Sequence, residues 1–198
     1  MKNIIIKNNE VIKEGEYSEK EGYILEQLVD TNNMFHFPDI ISFNKSKVHM
    51  KKINAMNFDY AMFDNYTILG CMLNKFHETQ LPEIEKTEFS LEEYFLYKLK
   101  INIKKFSKNI FDKKFLKNLE TFINSYINKS KLVSEYGLTH GDFCHNNLLL
   151  GKDEIFLIDF EKTIYGYQID DVAQFCAKML IKTHHISSFD FEKAENCF

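Results

Sequence analysis

The sequence predicts an α+β protein with a small β-rich lobe over residues 1–54 and a larger, mostly helical lobe over residues 55–198. Two observations favour this division. The N-terminal part contains two pairs of short apolar segments broken by turn-forming residues, with one helical pattern between the pairs. The rest of the chain is dominated by apolar residues at helical spacing and contains one further hairpin pattern. A cleft between two such lobes is a common place for a ligand.

The N-terminal lobe is predicted to contain two hairpins. In residues 3–13, two segments rich in isoleucine and valine flank Asn8-Asn9, and asparagine tolerates the positive φ angles of a tight turn. Residues 39–44 and 47–53 predict a second pair of strands. The predicted order of elements in this lobe is therefore β-β-α-β-β.

Two capping boxes mark the starts of predicted helices. In a capping box a serine oxygen accepts the amide hydrogen three residues later, and a glutamate reaches back to the serine amide. Ser18 and Glu21 open the helix of the N-terminal lobe, and Ser90 and Glu93 open a helix that runs to about Phe106. Apolar residues at helical spacing predict three more helices, over residues 66–78, from Asp112 onward, and from about Asp171 to Thr183.

Length and composition exclude several classes of protein. A chain of 198 residues with 44% hydrophobic residues can bury a core without disulfides or a structural metal, and it is too apolar for intrinsic disorder. No apolar run approaches the roughly 20 residues of a membrane span. The four cysteines form no CxxC pair, and the N-terminal apolar run is too short for a signal peptide. We therefore expect a cytoplasmic protein with reduced thiols.

The charges restrict the partners of the protein. A net charge of −4 argues against nucleic acid as the main partner. All 25 basic residues are lysines, so phosphate groups must be bound by lysine, by backbone N–H groups or by a metal. Residues 95–131 carry 10 lysines against 2 acidic residues, a net charge of +8 against −12 elsewhere. This pattern is typical of solvated helix faces, and attraction of an anionic substrate or partner is the alternative.

A cluster of polar residues flanks the hairpin pattern of the second lobe. Residues 148–150 and 155–158 predict two strands joined by a Gly-Lys-Asp-Glu turn. The loop before the first strand carries Asp142 and Asn147, and the second strand ends at Asp159. Folding the hairpin brings Asp159 back beside that loop, so that two carboxylates and one amide oxygen converge on one point.

These groups suit one kind of chemistry. Hard oxygen ligands in this number favour Mg²⁺, which keeps several waters and completes its shell with substrate phosphates. A carboxylate that the metal does not need can accept a proton from a hydroxyl group. Together the groups are the minimal requirement for phosphoryl transfer, which depends on positioning an alcohol and stabilising phosphate charge.

The sequence HGDFCHNN at residues 140–147, followed by IDFE at 158–161, resembles the aminoglycoside phosphotransferase and choline/ethanolamine kinase family. Val11-Ile12-Lys13 resembles the strand that bears the nucleotide-binding lysine of that family, and residues 21–28 and 69–77 resemble two of its helices. The resemblance covers about residues 11–175 and implies a protein-kinase-like two-lobe fold. Only 12 residues precede Lys13 and none is glycine, so we expect a reduced N-terminal β-lobe without the covering loop.

The resemblance implies a role for each residue of the central motifs. Asp142 would be the catalytic residue that orients or deprotonates the substrate hydroxyl. Asn147 and Asp159 would bind Mg²⁺, and Glu161 would assist the metal or the substrate.

The resemblance also implies a nucleotide site and a support for the catalytic loop. Lys13 would hold the nucleotide phosphates and pair with Glu21, with Glu26 as the alternative partner. Asp171 would accept hydrogen bonds that brace the loop. His140 is interpreted as a packed, hydrogen-bonded structural residue.

We therefore expect a kinase that uses ATP and Mg²⁺ to phosphorylate a hydroxyl group of a small-molecule alcohol. By resemblance the first candidate acceptor is choline or ethanolamine, and an aminoglycoside or a sugar comes next. One alternative is a degenerate, non-catalytic nucleotide-binding module, because the glycine-rich loop is missing. Another is a metallohydrolase, because His140, Asp142 and His145 have ligand-like spacing. A homodimer in which a second chain completes the site is a further alternative.

Overall fold

The computed structural model describes residues 3–31, 33–59, 63, 65–106, 117–118, 121 and 135–183. Contacts divide the chain into two compact units, Met1–Glu85 with Tyr136–Phe198 and Lys86–Glu135. Segments of both predicted lobes lie in the first unit, and the lobe boundary after residue 54 stays a prediction. Most of the helix predicted from Asp112 and much of the lysine-rich stretch lie outside the described residues.

The N-terminal part of the first unit has the predicted order of elements. A hairpin, a helix and a second hairpin follow one another as β1 (Asn3–Lys7), β2 (Glu10–Glu14), α1 (Ser18–Val29), β3 (Ile40–Asn44) and β4 (Lys47–Lys51). The four strands form an antiparallel sheet in the order β1-β2-β4-β3. Asn8, in the first turn, has a φ of 48°, which is the conformation that the asparagine pair predicts.

Helix α1 packs closely on this sheet and thereby places Lys13. A Cβ atom at Gly22 would collide with the Phe43 ring, so only glycine permits this approach of α1 to β3. Lys13 lies opposite the buried Val48 in the register of β2 and β4. Because directly opposed residues of an antiparallel pair share a face, Lys13 lies on the buried face of the sheet.

The predicted capping box at Ser18 is wrong. The helix begins at Ser18 itself, no side chain caps its first turn, and the Ser18 hydroxyl donates to the Lys13 carbonyl at 3.3 Å. The Glu21 carboxylate instead binds the Lys13 ammonium group. The second capping box is confirmed in the second unit, where Ser90 and Glu93 exchange both hydrogen bonds at the start of α3 (Leu91–Phe106).

The rest of the first unit combines two helices with short strands. These elements are β5 (Met56–Asn57), α2 (Tyr66–His77), β6 (Tyr136–Thr139), β7 (Leu148–Leu150), β8 (Ile155–Leu157), β9 (Ile164–Tyr167) and α4 (Ile169–Thr183). The predicted hairpin is present as β7 and β8, which pair with β5 in one sheet, while β6 and β9 form a second ribbon. Helix α4 begins two residues earlier than predicted. None of the described helices is long and apolar enough to cross a membrane.

One apolar core connects these elements. Buried side chains of α1, α2, α4 and the strands pack together with four further buried phenylalanines from the segments between these elements, Phe35, Phe58, Phe143 and Phe160. Phe143 lies in the loop between β6 and β7, and Phe160 follows β8. The two segments that carry the motif residues are therefore anchored in the core by their own phenylalanines.

Candidate active site

A buried carboxylate holds the loop that contains the HGD motif. Asp171, in the first turn of α4, is fully buried. Its Oδ2 accepts the backbone N–H of His140 at 2.8 Å, and its Oδ1 accepts that of Gly141 at 2.9 Å. His77, at the end of α2, places Nε2 at 3.1 Å from the same Oδ2. Sequence reasoning found no partner for His77, although this histidine ends the family-like helix pattern.

His140 links this loop to the strand before Asp159. Its ring is fully buried, and burial lowers the pKa of His140, so the neutral form is favoured. Nε2 lies 2.9 Å from the Ile158 carbonyl oxygen, and Nδ1 accepts the Asp142 N–H at 3.3 Å. These partners assign the proton to Nε2. Both ring nitrogens are thus occupied by protein groups, which argues against His140 as a metal ligand and supports its structural interpretation.

Gly141 permits the sharp bend before Asp142. Its φ is +77°, in the region that favours glycine, and an added Cβ would collide with the Lys162 carbonyl oxygen. This close approach brings the segment after Asp159 against the loop that contains the HGD motif.

We expect Gly141→Ala to destabilise the protein by about 1–3 kcal/mol through the backbone conformation alone, with the collision adding to this loss. Gly70→Ala is the matched control, because Gly70 is exposed in α2 and has open space where its Cβ would lie. That change should stabilise the helix by about 1 kcal/mol. Urea unfolding of both variants checks the prediction, and equal effects of the two changes would contradict it.

Two lysines hold the Asp142 carboxylate. Lys162 Nζ lies 2.6 Å from Oδ2, and Lys178 Nζ, from α4, lies 2.7 Å from Oδ1. Burial alone would raise the pKa of Asp142, but the hydrogen bonds and charges of the two lysines outweigh it and lower the pKa from 3.8 to about 2. Asp142 is therefore ionised at neutral pH. Sequence reasoning missed both lysines, since neither belongs to the quoted motifs.

Asn147 is buried at the other end of the same loop. Its side-chain Nδ2 donates to the Asp142 carbonyl oxygen at 2.9 Å, and its own carbonyl accepts the Ile158 N–H at 3.0 Å. These bonds fix the loop to the segment that leads into Asp159. With Nδ2 used for the loop, Oδ1 is the atom of this side chain that could ligate a cation.

Lys13 joins the N-terminal sheet to the residue that ends the second motif strand. Its ammonium group lies 2.6 Å from Glu21 Oε2 and 2.7 Å from Asp159 Oδ1. Glu21 also accepts the Phe160 N–H at 3.4 Å. Asp159 has a φ of 74°, a conformation uncommon outside glycine, at the point where the chain turns towards Lys13. The expected contact between Lys13 and Glu21 is thus present, and Asp159 joins it.

Three carboxylates form a group that could hold a cation. Glu21, Asp159 and Glu161 each offer one oxygen, and these oxygens lie within 4.8 Å of one another. A cavity of about 150 Å³ adjoins them, lined by residues 13–18, Glu21 and Glu161. Asp142 is not a member of this group. Two of the three predicted metal ligands, Asp159 and Glu161, thus lie together with Glu21, the partner of Lys13, whereas the Asp142 carboxylate is bound by Lys162 and Lys178.

Comparisons with known proteins identify the family of this fold. The sequence model of the phosphotransferase enzyme family matches residues 65–186, more than half of the chain. No curated protein sequence matches.

Similar solved structures have low sequence identity to this chain and show its fold alone. They include the gentamicin complex of APH(2″)-IIa, with a TM-score of 0.66, 18% identity and coverage of 86% of this chain and 64% of that chain. The GDP complex of aminoglycoside 2′-phosphotransferase-IIIa has a TM-score of 0.68 and 13% identity, and the match covers 91% of this chain and 68% of that chain. A choline/ethanolamine kinase family protein from Mesorhizobium loti has a TM-score of 0.67 and 10% identity, and the match covers 92% of this chain and 63% of that chain.

The chain thus spans less than two thirds of the length of the first and the last of these proteins. The predicted α+β, protein-kinase-like fold is confirmed, and so is the resemblance from which it was expected. The chain belongs to the phosphotransferase enzyme family.

Proposed function

We propose that this protein transfers the γ-phosphoryl group of ATP, with Mg²⁺, to a hydroxyl group of a small molecule. The observation that carries the proposal is the contact of Lys13 with both Glu21 and Asp159. Asp142 lies in the same unit, where Asn147 donates a hydrogen bond to its carbonyl oxygen. The contact between Lys13 and Asp159 joins a lysine of the N-terminal sheet to a carboxylate that can bind a metal. Phosphoryl transfer needs such a pair, because it depends on positioning and on stabilising charge.

The residues near the cavity suit a nucleotide with its metal ion. Lys13 is a cation that could bind phosphate oxygens, and it reaches Asp159 from the buried face of the sheet. The donor set is composed of oxygens, from Asp159 and Glu161 with Glu21 close by, which suits Mg²⁺. Asn147, a ligand that the sequence resemblance implies, would add an amide oxygen. Mg²⁺, when bound there, would neutralise charge on the phosphates. Structural neighbours include complexes with ADP and with GDP.

Asp142 is the group proposed to act on the acceptor. The acceptor oxygen forms a bond to the γ-phosphorus, the bond from that phosphorus to the β–γ bridging oxygen breaks, and ADP leaves. The hydroxyl proton passes to the Asp142 carboxylate and from there to solvent. Because the lysines keep Asp142 ionised, its main contribution is to accept the hydroxyl hydrogen bond and orient the oxygen.

The proposal is tested by Mg²⁺-dependent ADP release with pooled acceptors. An amino alcohol such as choline or ethanolamine is the first candidate from the sequence, and aminoglycosides and simple sugars come next. Structural neighbours include a gentamicin complex and a choline/ethanolamine kinase family protein. Acceptor-dependent release supports the transferase. Nucleotide binding without release in any pool would favour the non-catalytic module instead.

A second measurement addresses the metal site. We expect Asp159→Asn to weaken Mg²⁺-dependent binding of ATP by at least about tenfold, because the amide carries no charge to attract the cation, and tenfold corresponds to about 1.4 kcal/mol. Asp153→Asn is the control, since Asp153 is an exposed carboxylate in the turn between β7 and β8. Calorimetric titration with and without Mg²⁺ distinguishes them, and equal affinities of both variants would place the metal elsewhere.

A further inference from the structure

We propose that two copies of this chain pair through strand β1, antiparallel and centred on Ile5, so that their four-stranded sheets join into one continuous sheet. The inference goes beyond the proposed function and does not depend on it, because it concerns the edge of the N-terminal sheet. The partner that this edge fits is a second copy of the same chain.

The first observation is that β1 presents a regular edge. In the described part of the chain β1 pairs with β2 alone, and all five of its residues do so without a break. The strand at the other edge of the sheet, β3, shifts its register between Ile40 and Ser42. Sheets commonly protect their edges by such irregularities, by proline or by charged residues within the strand. Strand β1 has no such device between Asn3 and Lys7, so its edge can accept another strand.

The second observation is the apolar surface along this edge. Ile4 and Ile6 are 53% and 61% exposed. They lie opposite Lys13 and Val11 in the register of the hairpin, and so they share the face of the sheet on which Lys13 lies. A second strand along the edge would cover these isoleucines, and burial of apolar surface is the dominant favourable term in most protein association.

The direction of the backbone groups selects the register. Lys7 and Glu10 flank the two-residue turn of the hairpin, where opposed residues form a hydrogen-bonded pair, and such pairs alternate along the strands. The N–H and C=O groups of Ile4 and Ile6 therefore point away from β2, towards the open edge. An antiparallel copy of β1 centred on Ile5 places Ile4 opposite the partner's Ile6, so that both residues use these groups.

This register also matches the charges on the other face of the sheet. Asn3 donates to Glu14 at 3.2 Å, and Glu14 binds Lys47 at 2.7 Å. Asn3 would lie opposite the partner's Lys7, since their positions in β1 are equally distant from Ile5. The row across the joined sheet would then be Lys47, Glu14, Asn3, the partner's Lys7 and the partner's Glu10. No like charges are neighbours in this row, which favours a second copy as the partner.

The central row of the joined sheet is apolar. Ile5 lies opposite Ile12 within the hairpin and would lie opposite the partner's Ile5 on the twofold axis. A pairing centred on Ile6 would instead place each Ile5 opposite a lysine, Lys7 of the partner subunit. The edge is therefore complementary to itself in the register centred on Ile5, in its backbone groups, its apolar side chains and its charges.

Sedimentation equilibrium of the full chain tests the proposal. We expect a concentration-dependent equilibrium between one and two chains without larger species, because a twofold pairing occupies β1 of both chains. Ile5→Lys should raise the Kd of the dimer by at least about 100-fold, since it places two like charges opposite each other on the axis. Ile41→Lys is the matched control, because Ile41 is an exposed isoleucine on the other edge strand, and it should leave the Kd unchanged.

A proline variant covers the case in which the lysine variant folds poorly. The Ile6 N–H points away from β2, so Ile6→Pro removes a hydrogen bond to the partner and none within the hairpin. The twofold axis doubles this loss, and the Kd should rise by about tenfold or more. Urea unfolding of a dilute sample checks that the variant keeps the stability of the single chain.

Cysteine variants test the register. Ile5→Cys should form a disulfide between chains on oxidation, because directly opposed residues of an antiparallel pair lie about 4.5–5.5 Å apart, within reach of a disulfide. Ile4→Cys alone should not, since Ile4 lies diagonal to its own copy at about 7–8 Å. An equimolar mixture of Ile4→Cys and Ile6→Cys should again cross-link. Electrophoresis without reductant measures the products, and wild type oxidised in parallel controls for the native thiols.

Two outcomes would overturn the inference. A single chain at every concentration up to about 100 μM would leave this edge to a strand of another protein. A dimer that persists in both Ile5→Lys and Ile6→Pro would place the contact between the copies elsewhere. Both results would leave the proposed transferase untouched, because ADP release is measured separately.

Discussion

Asp142→Asn should lower kcat for phosphoryl transfer by about 10²–10⁴-fold, the usual contribution of a positioned acid–base group. The substitution keeps the size of the side chain and removes its charge. The two ammonium groups bind different oxygens of Asp142, so in the variant one of them faces the amide NH₂ group, which cannot accept a hydrogen bond. ATP affinity should stay within about twofold, since ΔG of binding depends on groups that the change leaves intact. Single-turnover ADP formation and ATP titration separate the two effects.

The control for this variant is Asp39→Asn, which also removes a carboxylate bound to a lysine, because Asp39 and Lys51 form an exposed pair at 3.0 Å. It should keep full activity, as surface pairs contribute little. The acid limb of the wild-type rate profile should not arise from Asp142 above pH 4, given its pKa of about 2. Full activity of Asp142→Asn would mean that a group other than Asp142 orients the acceptor hydroxyl.

The pH dependence of stability has a sign that follows from the same contacts. The folded protein lowers the pKa of Asp142 below its ordinary value of 3.8. The ionised carboxylate therefore stabilises the fold above about pH 4, and this contribution is lost as the pH falls towards 2. Asp142→Asn removes this pH dependence together with the carboxylate that acts on the acceptor. The free energies of unfolding of the variant and the wild type should therefore be compared at neutral pH.

Local patterns in the sequence predicted those features that local physics controls. The turn at Asn8-Asn9, the helix over residues 66–78 and the hairpin of β7 and β8 are confirmed, because their signals lie within about a dozen residues. The ribbon of β6 and β9 was not predicted. Its strands have four residues each and pair through Gly137 and Gly166, which carry no side chain to give an alternating pattern.

The contacts that were missed join residues far apart in sequence. Lys178 is 36 residues from Asp142, and His77 is 94 residues from Asp171, so no periodicity connects them. Glu21 shows how tertiary structure overrides a local rule. Its capping box satisfied the sequence pattern, but the buried Lys13 ammonium group needed a carboxylate, and an unpaired buried charge costs far more than a helix cap contributes.

Asp171→Ala should destabilise the protein by about 3–5 kcal/mol, the usual cost of removing one partner from a buried charged network. The change leaves the N–H groups of His140 and Gly141, and the His77 ring, without the acceptor that they share. Each buried unsatisfied donor costs about 1–3 kcal/mol. Since the whole free energy of unfolding of a domain is about 5–15 kcal/mol, this loss is a large fraction of it.

Asp171→Asn provides the folded variant for comparison, because its one remaining oxygen can still accept from the loop. Its loss of stability should be about half that of the alanine variant, with the His77 contact weakened. Combining it with His77→Gln in a double-mutant cycle should give a coupling energy above about 0.5 kcal/mol, as expected for contacting residues. Urea unfolding provides these energies, and hydrogen exchange at the Gly141 amide should accelerate in both Asp171 variants. A loss below about 1 kcal/mol in Asp171→Ala would mean that other contacts, such as the Thr163 hydroxyl bond to the His140 carbonyl, are sufficient to hold the loop.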